Sequence, residues 1–122
     1  MIRGYLIAES IKPGSRLEGI PMTLTKIVRK RQKNASTNQP SIWTTIDFET
    51  AASAEQLADA LAAVLDDAPS VWYTDFTSGE ERFVVFPKRV FRYRPDDALG
   101  RREAWGYGQS LGIPPSQLDW EY

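Results

Sequence analysis

The sequence predicts an α+β domain built on a mainly antiparallel sheet of five to six strands, with two helices on one face. Six segments have the alternation or the β-branched and aromatic content of strands, and two have helical periodicity. Their order along the chain is βββ-α-βββ-α. Short connections between successive strands favour antiparallel neighbours, which two helices can then cover. A chain of 122 residues fits one domain, so we assign residues 1–122 to a single unit.

The first three strands are predicted at Tyr5–Ser10, Met22–Lys30 and Ile42–Phe48. The third has the clearest alternation, because apolar residues and threonine occupy every second position. Residues 31–40, RQKNASTNQP, separate the second and third strands and are almost entirely polar. This composition predicts a mobile loop.

Both helices have recognisable ends. Ser53 and Gln56 have the spacing of a capping box, and an apolar stripe at helical spacing follows them. The first helix is therefore predicted to begin just after Ser53. The second helix is predicted to begin at Asp96 or Asp97, because acidic residues favour the N-cap and the first turn. Gly112, followed closely by two prolines, is a suitable end for it.

The second helix and the segment after it contain signs of close packing. Gly106 and Gly108 each weaken the helix by roughly 1 kcal/mol relative to alanine, so their presence predicts that another backbone packs closely there. Leu118 and Trp120 follow the prolines, and we expect them to fold back onto the core.

The stretch FPKRVFRYR, residues 86–94, is predicted to form a hairpin with the segment before it, turning at Pro87-Lys88. The strand before this hairpin is predicted at Val71–Phe76. A two-residue turn gives the hairpin two apolar faces, one with Val84, Phe86, Phe91 and Tyr93, the other with Phe83, Val85 and Val90. Cross-strand packing then accounts for the aromatic residues. Because helices on one face cannot cover both, we expect a curled sheet or a second subunit, and thus a possible homodimer.

The absence of two residue types limits the chemistry. The chain contains no cysteine, which excludes disulfides, thiolate metal sites and a cysteine nucleophile. It contains no histidine, which removes the commonest general base and metal ligand. Neither a GxGxxG nor a Walker sequence occurs. We therefore expect no cofactor, no metal and no catalytic residue that the sequence alone identifies.

Charge and hydropathy bear on location. No apolar run approaches the roughly 20 residues of a membrane span, and MIRGYLIAESI at the N-terminus lacks a signal peptide's hydrophobic region. We therefore expect a cytoplasmic protein with no membrane partner. Residues 1–40 hold eight basic and two acidic side chains, residues 41–87 one and nine, and residues 88–122 six and five. Such separation supports internal ion pairs, contacts between copies or a local basic patch.

The candidate binding residues are basic side chains and one aromatic segment. They are Lys26, Arg29, Lys30 and Arg31 in KIVRKRQK (26–33), Arg92 and Arg94 in the hairpin, and Trp72 and Asp75 in WYTDF (72–76). The basic residues could contact nucleic-acid phosphates, or they could be the charged end of a strand that protects a sheet edge.

Three carboxylates are candidates for chemistry. Asp75 beside three aromatics could act as an acid or base if buried, although such a residue more often pairs with an arginine or caps a turn. Asp47 and Glu49 lie on one side of a strand and could bind a metal or act as an acid/base pair if a third carboxylate joined them.

The last fifty residues resemble a known family. The stretches WYTDF (72–76), VVFPKRVFRYR (84–94) and YGQSLGIPPSQLDW (107–120) are similar to the C-terminal part of a family of small bacterial proteins with no assigned function. The resemblance covers roughly residues 71–120. It implies a recurring bacterial domain, and it supplies no catalytic or binding residues.

Three functions remain open at this point. The first is a non-enzymatic binding or regulatory module that contacts another protein or a small ligand. The alternative is a nucleic-acid-associated protein that uses residues 26–33 and the hairpin arginines. The third is an enzyme that depends on carboxylates or a metal. The absent residue types and motifs favour the first, so we expect a protein that is not an enzyme.

Overall fold

The computed structural model describes residues 1–120. The α+β prediction with two α-helices and antiparallel strands is confirmed. The strands are β1 (Ile2–Ile7), β2 (Thr23–Arg31), β3 (Ile42–Thr50), β4 (Thr74–Ser78), β5 (Glu81–Phe86) and β6 (Arg89–Tyr93). The helices are α1 (Ala54–Val64) and α2 (Ala98–Ser110). Two short 3₁₀ helices, Ala8–Ser10 and Pro115–Gln117, modify the predicted βββ-α-βββ-α order.

The strands form two sheets of three strands, so the prediction of one sheet of five to six strands is wrong in this detail. All pairs are antiparallel, and the strand orders are β1-β3-β2 and β4-β5-β6. β1 lies beside β4, and the Thr74 hydroxyl donates a hydrogen bond to the Tyr5 carbonyl at 3.3 Å. Sequence alternation identifies strands, but it does not specify which neighbouring edges share a backbone ladder.

The helices cover opposite faces of the second sheet, so the prediction that both lie on one face is wrong. Phe83 and Val85 of β5 belong to a core cluster with α1, whereas Val84 and Phe86 belong to a second cluster that includes Ala104 of α2. The four side chains just named are all buried. Because successive side chains of a strand point to opposite faces, burying both sets requires cover on both sides.

The hairpin register is confirmed. Phe86 lies opposite Arg89, Val85 opposite Val90, Val84 opposite Phe91 and Phe83 opposite Arg92. The two predicted apolar faces therefore exist, and each is covered within the same chain. The expectation of a second subunit rested in part on an uncovered hairpin face, and in part on Tyr5, Ile7 and Trp43. The homodimer stays a prediction, but the hairpin face no longer supports it.

The predicted helix ends are also confirmed. Ser53 caps α1 in a capping box: its hydroxyl accepts from the Gln56 backbone at 3.1 Å, and the Gln56 side chain accepts from the Ser53 backbone at 3.2 Å. Asp97 caps α2 by accepting from the Gly100 backbone at 2.9 Å. Leu118 and Trp120 fold back into the cluster beside α2, as expected.

β1 begins and ends earlier than the sequence suggested, because residues 8–10 form a 3₁₀ helix and not part of a strand. The Glu9 carboxylate accepts from the Thr44 backbone at 2.6 Å and from the Thr44 hydroxyl at 2.9 Å. The Glu9 side chain thus accepts a hydrogen bond from the backbone N–H of Thr44 that a longer β1 would have bonded.

Within residues 1–120, no helix combines the length and the apolar character required to cross a membrane.

Candidate functional site

A concavity lies where the first sheet meets the segment leading into β4. We call it the aromatic cleft. It has a volume of about 230 Å³ and is lined by Tyr5, Ile7, Gln32, Asn34, Trp43, Thr45, Val71, Trp72, Tyr73, Gln117 and Asp119. The sheet supplies one wall, because Ile7 pairs with Thr45 and the residues two positions away, Tyr5 and Trp43, share their face.

Two tryptophans form the apolar part of the cleft. Trp43 of β3 meets Trp72 edge-to-face, with 5.1 Å between ring centroids and a 63° angle between planes. The Trp43 indole N–H donates to the Pro40 carbonyl at 2.8 Å, and the Trp72 backbone N–H donates to the Asp66 carbonyl at 3.0 Å. Trp72 is buried and Trp43 is half-buried. The rings are therefore held in place, with part of Trp43 accessible.

Gln117 joins the C-terminal segment to the predicted loop at residues 31–40. Its side-chain amide donates to the Asn34 carbonyl at 2.7 Å and to the Gln39 side-chain oxygen at 2.8 Å. The Tyr73 hydroxyl donates to the Gln117 backbone carbonyl. These contacts tie one side of the cleft to the loop, whose mobility stays a prediction.

Among the described residues, one carboxylate and two tyrosines with raised pKa values are the titratable groups of the cleft. Burial first, and then the charges of Asp75 and Asp119, raise the pKa of Tyr5 to about 12, while Arg82 acts in the opposite direction. Burial and then Asp119 also raise the pKa of Tyr73. Tyr5 nevertheless keeps 43% of its surface exposed. Among residues 1–120, the lining contains the carboxylate of Asp119 and no cationic side chain.

Of the predicted site residues, Trp72 lines the cleft and Asp75 does not. The Asp75 carboxylate lies 2.9 Å from the Arg82 guanidinium, and the side chains are only 10% and 12% exposed. This ion pair matches the structural alternative for Asp75 that the sequence left open. The Asp75 carboxylate, which is paired with Arg82, still lies close enough to Tyr5 to raise the pKa of the Tyr5 hydroxyl.

Lys26, Arg29, Lys30 and Arg31 of the 26–33 run lie on β2. The Lys26 ammonium lies 3.6 Å from the Asp47 carboxylate, and the Arg31 guanidinium donates to the Ser41 hydroxyl at 3.4 Å. Among the described residues, Arg29, Lys30 and Arg31 have no acidic partner within 4.0 Å. Every residue of β2 is exposed.

Of the predicted hairpin arginines, Arg92 lies on β6 and Arg94 directly follows it, and both contact acidic side chains. Arg92 contacts Glu81 at 2.6 Å and Glu55 at 3.1 Å, and its guanidinium lies 4.8 Å from the Phe83 ring centroid. Arg94 pairs with Glu80. β2 and β6 are each the outer strand of a different sheet, while β1 and β4 lie side by side between them. The structure therefore does not bring the two basic groups together.

The carboxylates proposed for a metal are each paired. Asp47 contacts Lys26, and Glu49 lies 3.2 Å from Arg3. In the part of the chain that is described, no group of three or more acidic side chains is placed to hold a metal ion. A catalytic role for these residues stays a prediction with no geometric support among residues 1–120.

The cleft also contains residues that the sequence did not identify as a site. The sequence placed Tyr5 and Trp43 within predicted strands, and Gln117 and Asp119 only within the C-terminal stretch 107–120. Their convergence depends on contacts between distant parts of the chain. No protein-family model, curated protein or solved structure matches this chain. The resemblance of residues 71–120 to the bacterial family therefore stays a prediction.

Proposed function

We propose that this protein is a non-enzymatic binding module and that the aromatic cleft is its small-ligand site. One observation carries the proposal: fixed aromatic rings and hydrogen-bonding groups from distant parts of the chain converge on one cavity. Binding sites are concave, largely apolar and equipped with a few placed polar groups. A volume of about 230 Å³ suits a ligand smaller than a typical drug molecule.

The lining favours a ligand with a positive charge. Aromatic faces attract cations, most strongly when the cation is partly desolvated, and Asp119 adds a negative charge at the rim. A small organic cation could rest against Trp43 and Tyr5 without meeting a cationic side chain. The amides of Gln32 and Asn34 could bind its polar groups.

Isothermal titration calorimetry with choline as a probe, and with 3,3-dimethylbutan-1-ol as its neutral isostere, tests this proposal. We expect choline to bind and the isostere to bind at least about tenfold more weakly, because the aromatic and carboxylate groups recognise the charge. Trp43→Ala should remove choline binding. Trp105→Ala is the matched control, because Trp105 is half-buried against the other cluster, outside the cleft.

Each result has a defined meaning. Equal binding of choline and its isostere would overturn the preference for a cation but keep the cleft as a site. Equal effects of the two tryptophan substitutions would overturn the cleft itself. No binding of either probe at millimolar concentration would overturn the proposal for ligands of this size and charge.

Nucleic-acid association is the second candidate, and the free charges on β2 favour it. Arg29, Lys30 and Arg31 are exposed, and none has an acidic side chain within 4.0 Å among residues 1–120. The hairpin arginines do not extend this surface, so contact would involve few phosphates. Fluorescence anisotropy with labelled single- and double-stranded oligonucleotides tests it. Phosphate contacts require binding that weakens steeply with salt, and no binding at low salt would exclude it.

The cellular setting is part of the proposal. The similarity of residues 71–120 to a family of small bacterial proteins supports a bacterial domain, and the lack of cysteine fits a reducing cytoplasm. Self-association as a homodimer belongs to the same proposal, and sedimentation equilibrium would test it. A concentration-independent monomer mass would exclude it.

A further inference from the structure

We propose that the free edge of β2 binds an extended acidic segment of another protein by strand addition. In this mode a peptide continues a sheet through backbone hydrogen bonds, and the flanking side chains set the specificity. The proposal concerns a different surface from the aromatic cleft and does not depend on the ligand proposed there.

β2 is an uncovered edge. It is the outer strand of its sheet, and all nine of its residues are exposed. Leu24 and Ile27 keep 55% and 58% of their surfaces exposed, and Val28 keeps 38%. The cations and the bulge of β2 are features that oppose pairing with a second, like-charged edge. β2 combines an accessible backbone with apolar side chains that a partner could cover.

The register shows which backbone groups are available. The Gln32 N–H donates to the Ser41 carbonyl at 2.8 Å, and the pairing continues regularly from Arg31 opposite Ile42 to Lys26 opposite Asp47. Hydrogen-bonded and non-hydrogen-bonded pairs alternate along antiparallel strands. The backbone groups of Ile27, Arg29 and Arg31 therefore point away from β3.

A bulge limits the usable length of the edge. The register shifts between Leu24 and Lys26, and a bulge disrupts the ladder locally. The regular stretch therefore covers the six residues from Lys26 to Arg31, with outward backbone groups at three of them. This length matches an added strand of about five or six residues, close to the commonest length of strands.

Charge selects the occupant. Lys26 is paired with Asp47, whereas Arg29, Lys30 and Arg31 have no acid within 4.0 Å among residues 1–120. A second copy of β2 would bring four more cations to the same edge and is disfavoured, because like charges on adjacent strands repel. A partner strand with three successive acidic residues would place them beside Arg29, Lys30 and Arg31. Apolar residues that follow the acidic ones would then lie beside Val28 and Ile27.

Fluorescence anisotropy with the full chain tests the proposal. The probes are labelled, end-capped peptides that join a block of three glutamates to a block of two valines, in both chain directions. A peptide of the same sequence, N-methylated at alternate residues, is the control, because it keeps the charge and loses the backbone donors. We expect one direction to bind and its methylated form to bind at least about tenfold more weakly.

A pair of substitutions separates backbone pairing from charge. Arg29→Ala removes one charge and keeps the outward N–H, so we expect a loss in affinity of about two- to fivefold. Arg29→Pro removes the same charge and the N–H, and it spares the bonds to β3. We expect it to weaken binding by about a further fivefold or more. Circular dichroism melts establish that both variants are folded, and the methylated peptide provides the comparison without altering the protein.

Three outcomes would overturn the proposal. Absence of binding in both chain directions would remove the site. If the methylated and unmethylated peptides bound equally, and Arg29→Pro bound as well as Arg29→Ala, the edge would attract anions by charge alone. If an oligonucleotide also competed with the peptide, the surface would be assigned to nucleic-acid binding instead. A dimer in sedimentation equilibrium that Arg29→Pro converts to a monomer would assign the edge to a second copy of the chain.

Discussion

Replacing Gly108 by alanine is expected to destabilise the protein, although alanine is the better helix former. Gly108 lies in the interior of α2 and is buried. A Cβ atom at this position would lie 2.8 Å from Leu118 Cδ2, 3.1 Å from Phe86 Cε1 and 3.2 Å from Phe86 Cζ. Both neighbours are themselves buried in the core cluster beside α2, so neither ring nor methyl group has free space to enter.

The expected magnitude follows from two opposing effects. Alanine gains roughly 1 kcal/mol over glycine inside a helix. Overpacking a close-packed core costs about 1–3 kcal/mol. Because the Phe86 ring is fully buried and Leu118 is nearly so, we place the cost in the upper part of that range. The net loss for Gly108→Ala should then be about 1–2 kcal/mol.

Gly106→Ala is the matched control in the same helix. Gly106 is exposed, and a Cβ atom at this position would have no heavy atom within 4 Å outside its own stretch of helix. This variant should gain up to about 1 kcal/mol through helix propensity, so the two variants should differ by about 2–3 kcal/mol. Urea denaturation followed by circular dichroism measures the difference. If Gly108→Ala were as stable as Gly106→Ala, close packing by Leu118 and Phe86 would not be the reason for the glycine.

Two further perturbations test the site and its surroundings. Because the pKa of Tyr5 is raised to about 12, above its usual value near 10, the stability it contributes is complete below about pH 10 and is lost as the pH approaches 12. The free energy of unfolding of Tyr5→Phe, measured by urea denaturation, should therefore fall less than that of the parent between about pH 9 and pH 12. Equal losses in the two proteins would refute the raised pKa of Tyr5. Arg82→Ala leaves the nearly buried Asp75 without its arginine and should lower stability by about 3 kcal/mol. Arg94→Ala, at an exposed pair, should leave the melting temperature almost unchanged; equal effects would contradict the argument from burial.

Local sequence features predicted the local structure well. The capping box at Ser53, the Asp97 cap and the hairpin turn at Pro87-Lys88 depend on interactions between residues a few positions apart, and each is present. Within the hairpin, alternation and a two-residue turn fix the register, so the composition of both faces followed from the sequence.

The candidate site was predicted only in part. Trp72 was identified, but Asp75 lies outside the cleft lining in an ion pair with Arg82. Tyr5 and Gln117 are far apart in the chain, and no motif links them. The basic residues of β2 and of the hairpin looked similar in the sequence, yet Arg92 and Arg94 have acidic partners, whereas Arg29 has none within 4.0 Å among residues 1–120. Partners that come from other elements are not encoded in local spacing.

The sequence by itself determined the element types, the helix ends and the limits on chemistry that follow from having neither histidine nor cysteine. These properties depend on composition and short-range geometry. Only the tertiary structure decided that six strands divide into two sheets, that α1 and α2 cover opposite faces of one, and that an aromatic cleft opens beside the other. The physical reason is that β5 is apolar on both sides, so burial requires one cover on each face, while the first sheet keeps an open wall and an uncovered edge.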